Sequence, residues 1–68
     1  MTLDELLKEV DECGLMVNNI CQLEEGGWQA NIRGKEYNDK GEKFHEVAFG
    51  ETIFEALYNC MLRAEEKL

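Results

Sequence analysis

A threonine followed three residues later by a glutamate occurs twice, at Thr2–Glu5 and at Thr52–Glu55, and each pair opens an apolar stripe at helical spacing. In such a capping box the hydroxyl accepts a hydrogen bond from the glutamate amide while the carboxylate reaches back to the threonine amide. The two boxes bracket the chain with helix starts. Leu3, Leu6, Leu7 and Val10 form the i, i+3, i+4, i+7 face of the first helix, with Met1 and Leu6 at the staple positions. Gly14 can take the left-handed conformation that closes a helix, so this one is expected from about residue 3 to 13. The second places Ile53, Ala56, Leu57, Cys60, Met61, Ala64 and Leu68 on one side, and is expected to extend almost to residue 68.

Between the helices the pattern changes to alternation. Leu15, Val17, Cys21 and Leu23 share one parity, Met16 and Ile20 the other, and Asn18–Asn19 interrupts them, which suggests a strand with an irregularity. Glu24, Glu25, Gly26 and Gly27 supply a hairpin turn. Trp28, Ala30 and Ile32 then point to the core, with Gln29, Asn31 and Arg33 facing away. The stretch from Gly34 to Gly41 is polar and turn-forming, and is expected to be a loop or a frayed hairpin end. Lys43 to Phe49 alternates again, His45, Val47 and Phe49 on one face and Phe44, Glu46 and Ala48 on the other.

The expected fold class is α+β: one two-layer αβββα domain over residues 1–68, a three-stranded antiparallel sheet with two helices packed on one face. Three strands with one apolar face covered suffice for a small domain, where a lone hairpin would be marginal. A chain of 68 residues removes only about 60% of its unfolded surface on folding. The uncovered sheet face is expected to show Met16, Ile20, Phe44 and Ala48 among Asn18, Gln22, Gln29, Asn31, Arg33 and Glu46. Phe54 and Tyr58, one turn apart, are expected to pack between the helices. Tyr37 stands in the loop as an exposed aromatic anchor.

Charge is distributed unevenly. The formal net charge is −8. Residues 1–32 hold seven carboxylates, Asp4, Glu5, Glu9, Asp11, Glu12, Glu24 and Glu25, against Lys8 alone, a net −6. Residues 33–43 carry four cations against three carboxylates, a net +1, and the remainder two against five, a net −3. Nonspecific nucleic-acid binding depends on clustered Lys and Arg that displace counterions, so a direct nucleic-acid role is not expected. A charged partner is expected to present a basic surface.

Reactive constellations are sparse. The chain has no serine, so a Ser-His-Asp triad is impossible. His45 with a cysteine would need an electropositive setting to lower the thiol pKa, and the surroundings are acidic. Cys13, Cys21, Cys60 and His45 match the ligand count of a zinc site but lack its close ligand pairs. The glycines fit no phosphate-binding loop. A non-enzymatic protein with no cofactor and no metal is therefore expected. The opening MTLDELLKEV lacks the features of a signal peptide, no apolar run approaches the ~20 residues of a membrane span, and three cysteines make no disulfide framework. A cytoplasmic protein with reduced thiols is the expectation.

The helix–β–β–β–helix order with the segment from Phe49 to Leu57 resembles the double-stranded-RNA-binding domain fold. In that family a glycine and a hydroxyl residue precede a second helix that opens with phosphate-gripping lysines. Here Ile53, Phe54 and Glu55 stand there, so the resemblance implies the fold and not RNA binding. Glu24 to Ala30 (EEGGWQA) and the start GETIFEAL also resemble HicB-type antitoxins. Size, acidity and topology resemble small αβββα bacteriophage proteins, some of which inhibit host defence systems.

Two roles follow as expectations. One is a phage- or prophage-encoded inhibitor, anti-CRISPR-like or a nucleic-acid mimic, whose acidic residues Asp4, Glu5, Glu9, Asp11, Glu12, Glu24 and Glu25 engage a basic host protein. The other is an antitoxin-like or self-associating module, monomer or homodimer, that uses the sheet face or a strand edge; on the loop and sheet face the partner-binding candidates are Asn31, Arg33, Tyr37 and Phe44.

Overall fold

In a computed structural model describing residues 1–68, the Thr2 hydroxyl accepts the Glu5 amide at 3.1 Å and the Glu5 carboxylate accepts the Thr2 amide at 2.8 Å. The complete box starts α1 (Leu3–Glu12), which ends where Cys13 donates to the Glu9 carbonyl and Gly14 turns the chain at φ +77°. The order continues β1 (Leu15–Gln22), β2 (Trp28–Tyr37), β3 (Lys43–Gly50) and α2 (Ile53–Lys67). The α+β αβββα architecture is as expected. At α2 the box is only half formed: Thr52 accepts the Glu55 amide at 3.0 Å, but the Glu55 carboxylate accepts from the Glu51 amide at 3.3 Å instead of from Thr52.

The strands form an antiparallel meander in the order β1-β2-β3. Both helices lie on one face, because Leu6 and Val10 of α1 and Ala56, Leu57, Cys60, Met61 and Ala64 of α2 join one core with Leu15, Ala30, Ile32 and Ala48. α1 rests mainly on β1, and α2 on β3 and β2. Ala30 and Ala48 sit directly opposite each other beneath α2, whose own contact face includes Ala56 and Ala64. Small side chains on both layers suit close helix-to-sheet packing. Leu6, Ile32, Leu57 and Met61 supply the bulk, each worth about 1.5–3 kcal/mol of buried apolar surface. No helix is long and apolar enough to cross a membrane.

The faces of β1 and β3 differ from expectation. Val17 pairs with Ile32 and Asn19 with Asn31, so Asn18 is the extra residue of a bulge. A bulge shifts the parity of everything after it. Val17 and Ile20 therefore both pack against the core, while Cys21, paired with Gln29, moves to the open face. In β3, Ala48 pairs with Ala30 and Glu46 with Ile32, which puts Phe44, Glu46 and Ala48 on the covered face. Ala48 and Glu46 are buried and Phe44 packs against the core. Neither phase of β3 is purely apolar, so its orientation is decided by register and by the cations that α2 brings to Glu46. His45, Val47 and Phe49 look outward instead.

Further departures are local. β2 runs on to Tyr37, which pairs with Lys43, so half of the expected loop is strand. Three β2 residues, 34–36, stand opposite Phe44 alone in this irregular stretch. Leu3 and Leu7 remain more than a third exposed, and Met1 is exposed, so α1 buries only the Leu6–Val10 part of its stripe. Phe54 packs against the core and stacks on Tyr58 with ring centroids 5.8 Å apart, but Tyr58 itself is exposed. At the end of β3, a Cβ on Gly50 would lie 2.4 Å from the Ala56 nitrogen, so this strand end and the first turn of α2 meet only without a side chain there.

Candidate functional site

The α1 carboxylates occupy its outward face, as amphipathic spacing dictates. Asp4, Glu5, Asp11 and Glu12 are exposed and Glu9 is half-buried. Two of the five already have intramolecular work. The Glu5 carboxyl is held below its ordinary range by its hydrogen bonds with Thr2. Asp11 is ion-paired with Lys35 at the start of the irregular part of β2. Asp4, Glu9 and Glu12 make no ion pair within the chain.

Glu24 and Glu25 lie exposed in the β1–β2 turn, closed by a bond from the Leu23 amide to the Gly27 carbonyl at 3.0 Å. Trp28 at the start of β2 pairs with Gly50 at the end of β3, so this turn and the start of α2 meet at one end of the sheet. Glu25, Glu51 and Glu55 there line a shallow depression of about 620 Å³ with Leu23 and Phe49. None of the α1 carboxylates lines it. Local sequence pattern does not connect Glu51 and Glu55 with Glu25; the hairpin register does. The expected acidic surface is therefore two surfaces, one along α1 and one at the turn end.

The uncovered sheet face carries a second set of groups. Asn31 Nδ2 donates to Asn19 Oδ1 at 3.2 Å, and Asn31 Oδ1 lies 3.3 Å from His45 Nε2. With its amide hydrogens turned to Asn19, Asn31 presents an acceptor, which makes His45 Nε2 the donor. Arg33 pairs across the strands with His45, and Tyr37 with Lys43, whose ammonium sits 5.0 Å from the tyrosine ring centroid. These four residues line a depression of about 310 Å³. Of the expected sheet-face residues, Asn31, Arg33 and Tyr37 are thus brought together, whereas Phe44 points to the helices. Met16 and Phe49 stay 45% and 55% exposed.

His45 is exposed, and its Nε2 faces Asn31 rather than a thiol. Cys60 is fully buried within α2, and burial pushes its thiol pKa up. A nucleophilic cysteine needs the opposite shift. No three His, Cys, Asp or Glu side chains are grouped to hold a metal ion. The surfaces offer charge and hydrogen bonds. No protein-family model, curated protein or solved structure matches the chain.

Proposed function

We propose that this chain is a non-enzymatic interaction protein that docks its carboxylates on the basic surface of another protein and blocks it, as a phage-encoded inhibitor of a nucleic-acid-handling or defence protein in the host cytoplasm would. The observation that carries this reading is the placement of charge. Asp4, Glu9 and Glu12 on α1, and Glu24, Glu25, Glu51 and Glu55 at the turn end, have no cationic partner within the chain, while three of its seven Lys and Arg are already neutralised by Asp11 and Glu46. Unpaired carboxylates on a chain of net charge −8 speed encounter with a basic surface and disfavour nucleic acid itself. The test is association with the protein the chain captures from its host, measured at low and high salt and in competition with DNA or RNA. Binding should weaken steeply with salt, fall at least about tenfold when Asp4, Glu24 and Glu25 are reversed to lysine, and exclude nucleic acid. Salt-independent binding that survives charge reversal would sink the idea.

Self-association is a second reading, favoured by the exposure of Phe49 and Met16 on a sheet face that no helix covers. Sedimentation decides it: a concentration-dependent dimer lost in Phe49→Ser supports it, and a monomer throughout the accessible range removes it.

A further inference from the structure

We propose that Arg33, Tyr37, Lys43 and His45 form a binding site for a small phosphate-class anion, inorganic phosphate or a phosphomonoester, on the open face of the β2–β3 hairpin. The cations of this acidic chain are not equivalent. Lys35 is committed to Asp11, and Arg63 and Lys67 to Glu46. Arg33 and Lys43 have no carboxylate within ion-pair distance, and neither does His45. These three residues, with Tyr37, are the whole lining of the 310 Å³ depression. Lys8 and Lys40, the other cations without an ion pair, line no depression.

The hairpin builds the convergence. Arg33–His45 and Tyr37–Lys43 are successive cross-strand pairs of the ladder. Between them β2 carries three residues where β3 carries only Phe44. Across that irregular stretch the four side chains still line one depression. Lys43 over the Tyr37 ring gains a cation–π attraction that holds both in place.

The donor set selects the anion. A guanidinium fork, an ammonium and a phenolic hydroxyl approach from separate side chains, with the His45 ring as a wall held by Asn31, which suits three or four oxygens arranged tetrahedrally better than the two of a carboxylate. Size is limited by the rest of the molecule. Screening confines the attraction to about 8 Å at physiological salt, so a compact anion feels the local positive cluster. A long polyanion would also meet the surrounding net charge of −8. The site is distinct from the carboxylate surfaces, so it can fail without them and they without it.

The test is amide-resolved NMR of the ¹⁵N-labelled chain titrated at constant ionic strength with inorganic phosphate, glycerol phosphate, acetate, chloride or a short single-stranded oligonucleotide. Saturable shifts centred on Arg33, Tyr37, Lys43 and His45 are expected with both phosphates, with acetate weaker and chloride inert. Arg33→Gln and Lys43→Gln, both at solvent-accessible positions, should each weaken phosphate at least about tenfold while leaving distant amides unmoved. Asp4→Asn should change nothing at this site. Linear shifts, equal shifts with chloride, or undiminished binding in both variants overturn the proposal. So does an oligonucleotide that binds these residues more tightly than phosphate. If phosphate and glycerol phosphate both bind, their relative affinities identify the free ion or the ester as the preferred source.

Discussion

The carboxylate of Glu46, buried on the covered face of β3, is bonded to the ammonium of Lys67 in the last turn of α2. Arg63 Nε adds a second bond at 3.3 Å. The two cations keep more than half of their side chains in solvent, so only the carboxylate bears the cost of desolvation. Its pKa is held below the usual glutamate range chiefly by the Lys67 hydrogen bond, against burial, which acts upward. The linkage sign follows: a carboxyl with a lower pKa folded than unfolded stabilises the fold above about pH 4.3, and that contribution is lost as pH falls through the folded value. Glu46→Gln should therefore cost about 1–2 kcal/mol at neutral pH and flatten the acid side of the stability profile. Urea midpoints measured across pH check both; an acid limb identical to that of the parent chain would show that Glu46 does not carry this dependence.

Gly50 is fixed by space. Its missing Cβ is what lets β3 end against the Ala56 nitrogen and the Glu55 backbone. Gly50→Ala should destabilise by about 2 kcal/mol or more, since backbone on the facing side must shift. Gly14→Ala meets no neighbouring atom but keeps φ +77°, and should cost only about 1–2 kcal/mol. Thermal unfolding of the two variants side by side tests the ranking, and a Gly14 variant that suffers more than the Gly50 variant contradicts it.

The helix starts should respond differently to the same change. Thr2→Ala and Thr52→Ala each remove a hydroxyl acceptor and should each cost about 1 kcal/mol. Glu5→Ala should add a further loss at α1, because Glu5 closes its box, whereas Glu55→Ala should free the Glu51 amide and leave the Thr52 cap in place. At only ten residues α1 is too short to hold alone and depends on Leu6 and Val10 for packing. Hydrogen exchange should show α1 amides losing protection in Thr2→Ala while α2 amides keep theirs; uniform loss across both helices would mean that α1 does not open separately.

What is legible in this chain divides along local and non-local chemistry. The threonine caps, the glycine exit at Gly14 and the irregularity at Asn18–Asn19 are set by residues within a few positions of one another and stand where the pattern puts them, except that Glu55 turns to the Glu51 amide instead of closing the second box. The face of β3 is not set that way. Val47 and Phe49 on one parity compete with Phe44 and Ala48 on the other, and the outcome depends on Ala30 across the ladder and on Arg63 and Lys67 from α2. The extension of β2 to Tyr37 is hidden for a similar reason: its pairing tolerates an irregular stretch that polar composition makes look like a loop. The acidic surface was half legible. Carboxylates on α1 follow from helical spacing, but the meeting of Glu25 with Glu51 and Glu55 needs the Trp28–Gly50 pair.

Three thiols in three environments give an independent probe of the whole fold. All are free, with Cys13 exposed at the end of α1, Cys21 half-buried on β1 and Cys60 inaccessible in α2. The Cys60 thiol donates to the Glu46 carbonyl at 3.4 Å, and burial pushes its pKa up, so both access and thiolate fraction disfavour reaction. Under native conditions a thiol reagent should modify Cys13 first, Cys21 more slowly and Cys60 only when α2 leaves the sheet. The logarithm of the Cys60 rate should therefore rise in Glu46→Gln and Gly50→Ala in proportion to their lost stability, about tenfold per 1.4 kcal/mol, while the Cys13 rate stays constant. Mass spectrometry after timed quenching resolves the three sites. A Cys60 rate indifferent to both substitutions would mean that α2 opens locally, without the Glu46 pair or the Gly50 contact having to break.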